Sequence, residues 1–180
     1  VWMDHGIWPL ITTELYINET GDLNILFEKA PYFNDQHIWR SRKIKRDWNT
    51  GKICQGSIYE HLLIQNLAQF FNVGPHNHIR LEGADWNDGL DMAQEFGESI
   101  AFSAMYAQNL NRLAELLLKT GKNKILIAEE MMILFRHFDY NNRNEKLKIL
   151  DAYFAKAALS LSGKKRLVDV AALARNLKIK

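Results

Sequence analysis

Apolar residues recur at helical spacing along most of this chain, and that period leaves few folds open to it. Tyr59, Leu63, Leu67, Phe70 and Phe71 run down one face behind a Ser57/Glu60 capping box, with His61, Gln65 and Gln69 on the opposite side. Phe102, Tyr106, Leu110, Leu113 and Leu117 repeat the pattern, closed by Lys119 and Gly121. Ile127, Met131, Leu134 and Phe138 predict another helix, and Leu147, Leu150, Phe154, Ala157 and Leu161 one more. Asp169 then starts a short last helix through Leu177. Near the start, Ile7, Ile11 and Leu15 predict a helix over 7–19 that Gly21 stops. Asp22 caps a shorter segment carrying Leu23, Leu26 and Phe27, which Pro31 ends. Alternating runs are almost absent. The expected fold class is therefore all-α, with short connections making successive helices antiparallel hairpins.

The helical pattern is interrupted where the chemistry concentrates. Gly83-Ala84-Asp85-Trp86-Asn87-Asp88-Gly89-Leu90-Asp91 packs three carboxylates, an amide and an indole between two helical segments. A ring flanked by acids suits a sugar: the indole covers an apolar pyranose face while carboxylates address hydroxyls or a glycosidic oxygen. The same residues also read as a helix start, with Asp88-Gly89 as a turn and Asp88 or Asp91 as a cap. Leading into the loop, His76, His78, Arg80 and Glu82 alternate with Asn77, Ile79 and Leu81, and an extended arm would set all four on one side. The two histidines lack the spacing of a helical zinc motif and there is no Cys pair, so no metal is expected.

These residues resemble the sugar phosphorylases of glycoside hydrolase family 94, among them cellobiose, chitobiose and β-1,2-oligoglucan phosphorylases. The family's Asp-Trp-Asn-Asp-Gly loop stands intact at 85–89. Tyr16-Ile17-Asn18-Glu19-Thr20-Gly21-Asp22, Ser57-Ile58-Tyr59-Glu60-His61-Leu62 and His76-Asn77-His78-Ile79-Arg80-Leu81 are similar to family segments that surround it. The resemblance runs over roughly residues 4–110. It implies Asp88 as the general acid and Trp86 as a wall around the sugar at the cleaved position; Asp85 competes for the acid role on composition, and with the motif match favouring Asp88 it is taken as a substrate-binding group. Asp4-His5-Gly6-Ile7-Trp8 looks like the family's Asp-Asp-x-x-Trp stretch with one Asp remaining; Asp4 would then hold sugar hydroxyls, its other reading being a helix cap.

What the resemblance implies for function is inverting phosphorolysis of a β-linked di- or oligosaccharide. Inorganic phosphate serves as co-substrate and nucleophile, with no cofactor or metal. It implies for fold that the hairpins are part of an (α/α)6 barrel, a partial catalytic domain over 1–180. A hydrolase on the same kind of barrel would need a second carboxylate, which the sequence does not identify. A non-catalytic helical carbohydrate-binding or scaffold piece would bind sugar without turnover.

Over 33–56 the pattern is irregular. Arg40, Arg42, Lys43, Lys45 and Arg46 lie between Trp39 and Trp48, which reads as a solvated surface insertion anchored by two tryptophans rather than a nucleic-acid surface. A net charge of +2 likewise gives no global attraction for nucleic acid or acidic membranes. The single Cys54 reads as an ordinary buried thiol in a reducing compartment. No apolar run reaches membrane-spanning length and no signal pattern opens the chain, so a cytoplasmic location is expected. Its 180 residues, 47% of them hydrophobic, allow one domain or a piece of one. Val1 in place of Met suggests a piece of something longer. The expected partners are therefore a second copy or the remainder of a parent enzyme, and the piece alone is expected to be inactive.

Overall fold

The computed structural model describes residues 3–33, 44–82, 93, 96–158 and 160–180. Its framework is helical. Helix α1 (Ile7–Thr20) is followed by a 3-10 turn at Leu23–Phe27, strand β1 (Lys29–Pro31), strand β2 (Gln55–Ser57) and helix α2 (Ile58–Phe71). Two short strands, β3 (Ile79–Arg80) and β4 (Glu98–Ser99), precede the long helix α3 (Ile100–Lys119). Strand β5 (Lys124–Ala128), a second 3-10 segment (Glu129–Phe135), helix α4 (Arg143–Ala157), strand β6 (Lys165–Asp169) and helix α5 (Val170–Lys178) complete the order.

Helices α2 and α3 form where the stripes place them. Ser57 Oγ accepts from Glu60 N at 3.1 Å, and Ser99 Oγ accepts from Phe102 N at 3.1 Å, each satisfying an amide the helix cannot. Tyr59, Leu63, Leu67 and Phe71 of α2 meet Leu110, Leu113 and Leu117 of α3 in the main core, and α5 closes it with Val170, Leu173, Ala174 and Leu177. Burying each such leucine contributes about 1.5–3 kcal/mol relative to leaving it in water. Asp169 Oδ1 caps α5 through Ala172 N at 2.8 Å, and Asp22 caps the first 3-10 turn, both as the sequence indicates.

Four expectations are corrected. Around Ile127 the chain forms no α-helix: Ile125 and Ile127 are buried on one side of β5 while Lys124 and Leu126 are exposed, and Met131 and Leu134 follow at the tighter spacing of a 3-10 segment. Strand β5 pairs antiparallel with β6, setting Leu126 opposite Leu167 and Ile125 opposite Val168. Its partner lies forty residues on, beyond the reach of a local period. With the β1–β2 and β3–β4 ladders, the fold is helical with small sheets rather than all-α, and ladders separate its helices. In α1 the buried residues are Ile7, Leu10 and Ile17, whereas Leu15 is 58% exposed, so the helix is rotated from its predicted stripe. In the basic segment Lys45 is buried, its Nζ donating to Ala157 O, and Trp48 anchors nothing: it is 57% exposed. Trp39 lies outside the described residues.

The buried aromatic end of the core holds two amines. Lys146 of α4 is almost fully buried with Nζ 4.3 Å from the Phe70 ring centre, and Lys180 donates to Tyr140 Oη at 2.8 Å. Burial lowers both to about 8, and Lys146 lowers Lys180 further. An amine depressed below its unfolded value of 10.5 adds stability as pH rises from about 8 towards 10.5, and loses it as pH falls through 8. Denaturant midpoints should therefore climb from about pH 7 to about pH 9.5, and Lys146→Met should flatten the climb. Above about pH 10 the buried phenols of Tyr32 and Tyr59, pushed up by burial, reverse the trend.

Candidate active site

The described residues on either side of the motif segment form a narrow neck. Ile79 pairs with Ser99 and Arg80 with Glu98, and Leu81 N donates to Gly97 O at 3.0 Å. Gly97 is required there: a Cβ would stand 2.7 Å from Ala93 Cβ and 2.9 Å from Leu81 Cδ1. Glu98 ties the neck to the preceding turn. Its carboxylate accepts from His76 N, from His78 N at 2.9 Å and from His76 Nδ1 at 2.7 Å. Desolvation would raise this carboxyl, but the His76 and His78 hydrogen bonds outweigh it and hold the pKa below its usual value.

His76, His78, Arg80 and Glu82 do not share one face of an extended arm: only Arg80 and Glu82 meet, with Nη1 3.6 Å from Oε1. Residues 75–78 turn, with Asn77 at φ 66°, before β3 begins. His76 is used by Glu98, Arg80 Nε donates to Val73 O at 3.1 Å, and Glu82 accepts from Asn72 Nδ2 at 2.9 Å. Among the described residues no three His, Cys, Asp or Glu side chains gather as a metal set.

Asp4 stands beside this neck. Met3 and Leu81 form one buried cluster, against which Ala93 and Phe102 pack, so the turn at 3–6 adjoins both flanks of the loop. Asp4 is not a helix cap, because Gly6 holds that position in α1 without any side-chain bond. Instead Asp4 Oδ2 accepts from Trp8 Nε1 at 2.7 Å, and Oδ1 is buried with no hydrogen-bond partner among the described residues. Asp85, Trp86 and Asp88 lie outside the described residues.

Residues 1–133 match the model of the catalytic domain of the glycosyl hydrolase 94 superfamily. The chain belongs to that superfamily. Among its relatives is the solabiose phosphorylase of Paenibacillus borealis, 25% identical over 146 residues that cover 80% of this chain and 17% of that protein. The cellobionic acid phosphorylase of Neurospora crassa is 29% identical over 99 residues, 54% of this chain and 12% of the relative. The chain thus spans less than a fifth of the length of either relative.

In this family-94 chain a buried polar network, which the stripes did not reveal, fixes the Asp4 turn. Tyr106 Oη donates to Met3 O and accepts from Gly6 N at 3.2 Å. Asn66 Nδ2 donates to Gly6 O at 3.1 Å, and Asn109 Nδ2 donates to Asn66 Oδ1 at 3.0 Å. The signal available in the sequence was position: Asn66 and Asn109 fall on the apolar faces of α2 and α3, where a polar residue must find a partner. Burial pushes the Tyr106 phenol up, so it remains the donor. Tyr106→Phe leaves two main-chain groups unsatisfied and should cost about 1–3 kcal/mol, read as a lower denaturant midpoint and faster exchange of the Gly6 amide. On the polar side of α2, His61 bonds Ala30 O at 3.0 Å and lies against Tyr32, and burial lowers its pKa.

Proposed function

We propose that this chain carries part of the catalytic domain of a phosphorylase that cleaves a β-linked di- or oligosaccharide with inversion. The observation that carries this reading is the superfamily match spanning an intact Asp-Trp-Asn-Asp-Gly motif; the contact of Met3 with Leu81, and an Asp4 oxygen without a partner among the described residues, support it. Phosphate attacks the anomeric carbon, the C1–O bond to the leaving sugar breaks as the C1–O bond to phosphate forms, and the proton of Asp88 passes to the leaving oxygen. Phosphate is already an anionic nucleophile, so one acid suffices. Trp86 covers the apolar face of the ring, and Asp85 and Asp4 hold its hydroxyls.

Within the same reading the helices belong to an (α/α)6 barrel completed by further chain or by a second copy, residues 33–56 form a surface insertion, and the protein works in the cytoplasm. No helix among the described residues is long and apolar enough to cross a membrane. The test is release of sugar 1-phosphate from a panel of β-linked disaccharides by the protein carrying this sequence. Release that requires phosphate supports the reading; equal cleavage with and without phosphate, giving free sugars, would replace it with hydrolysis.

A further inference from the structure

A second concave surface lies at the other end of α2. The neck of the motif loop adjoins the C-terminal end of that helix, where Arg80 N bonds Asn72 O. At its first turn Glu60 instead meets Ala128 and Lys165. A helix of 14 residues is about 20 Å long, so surfaces at its two ends can be occupied together. The second surface is a cleft of about 620 Å3 between the turn at 47–50, the last turns of α4 and the segment 160–164. That size is within the roughly 300–1,000 Å3 of small-molecule sites.

Two aromatic side chains line it from different segments, Trp48 at 57% and Phe154 at 43% exposure. The exposure of Trp48 is built in. Asp47 Oδ1 accepts from Asn49 N at 2.7 Å and Thr50 N at 3.0 Å, Gly51 N returns to Asp47 O, and Trp48 N is held by Leu161 O. The backbone is thus locked while the ring stands in solvent, and among the described residues no hydrogen bond takes its indole N–H.

The same cleft is lined by Glu130, 7% exposed, whose Oε1 accepts from Ser162 N at 2.7 Å and whose Oε2 is buried with no partner among the described residues. A buried carboxylate oxygen normally finds a donor. Glu129 and Glu130 balance Lys156 and Lys164 around the opening, so the cleft selects for no strong charge.

We propose that this cleft is a second saccharide site, taking one or two pyranose units of a neutral glycan chain. Apolar ring faces lie on Trp48 and Phe154, the hydroxyls of Ser160 and Ser162 and the Lys164 amine meet the sugar rim, and Glu130 is the acceptor beneath. It would hold the chain of an oligosaccharide remote from the bond being cut. The choice of β-linked glucose units as ligand rests on the phosphorylase reading; the chemistry of the cleft does not.

The test follows indole N–H resonances of the isotopically labelled protein during titration with cellotetraose, with and without phosphate. The Trp48 signal, assigned by its loss in Trp48→Phe, should shift with millimolar affinity in both conditions. Phe154→Ala should weaken the response about tenfold, as should Glu130→Gln. Trp48 and Phe154 are exposed, so their variants keep the test valid even where Glu130→Gln unfolds. A Trp48 signal that ignores cellotetraose, that answers equally to an unrelated peptide, or that is unchanged by Phe154→Ala overturns the proposal. A responsive Trp48 without phosphate-dependent cleavage counts against the phosphorylase reading alone. Cleavage with a silent Trp48 counts against the cleft alone.

Discussion

Replacing Asp88 with Asn should slow phosphate-dependent cleavage by on the order of 10²–10⁴ while leaving sugar affinity nearly unchanged. The reason is where the proton is needed. A general acid acts on the leaving oxygen as the glycosidic bond stretches, so its loss raises the transition state and leaves the ground-state complex alone. Asparagine fills the same space and keeps a hydrogen bond but has no proton to give. To serve as the acid in the phosphorylase reading, Asp88 must stay protonated up to its own pKa, which an incoming phosphate anion would raise. Activity should accordingly fall as pH rises through that value. Asp85→Asn is the internal control: if it abolishes turnover while Asp88→Asn does not, the two aspartates have been assigned the wrong way round.

The largest loss of stability is expected at Glu60, remote from that chemistry. Its side chain is 1% exposed, and Oε1 accepts from Tyr32 Oη at 2.6 Å, Lys165 Nζ at 2.7 Å and Ala128 N at 3.3 Å. Four elements, α2, β1 with its following residue, β5 and β6, thus converge on one carboxylate oxygen. Glu60→Ala strands all three donors and leaves Lys165 beside an apolar wall. Removal of one member of a buried pair costs about 3–5 kcal/mol. Lys165 is partly solvated and can swing outward, which puts the expected loss near the lower end, about 3 kcal/mol by chemical denaturation. A Glu60→Leu/Lys165→Met double variant should recover the part due to the stranded amine and the lost volume, but not the part due to Tyr32 Oη and Ala128 N, which stay without an acceptor. If the single and double variants lose equally, neither the volume nor the Lys165 charge matters, and the carboxylate's contribution lies in its bonds to Tyr32 Oη and Ala128 N.

The contrast between Glu60 and its own helix shows what the sequence carries and what it does not. Helices α2 and α3 were legible because their stripes, caps and stops are all local. Ser57 does cap α2, but the reciprocal half of the capping box is absent, since Glu60 turns inward to residues 28 and 105 positions away that no spacing rule connects to it. Ile127 was misread for the same reason: four apolar residues fit a helix as well as a strand until β6 is known to lie alongside. Trp48 looked like an anchor because tryptophan is usually sheltered, and only the Asp47 turn shows that it is held outward. Asp4 could be placed near the motif by resemblance alone; the Met3–Leu81 contact supplies the physical link.

The β5–β6 ladder carries a hazard along with its structural role. Among the described residues it has only two strands, so each strand has an outer row of main-chain donors and acceptors with no strand beside it, of which Ala128 N is taken by Glu60, and the cross-strand pair Leu126 and Leu167 adds an exposed greasy patch, at 53% and 61%. Such ribbons recruit other chains and nucleate aggregates. Here charged side chains lie along the ribbon itself: Lys124 opposite Asp169, and Arg166 bridged to Glu129 at 3.0 Å. Two copies approaching edge to edge would have to strip water from these charges, so this small ribbon carries its own protection against sticking to itself.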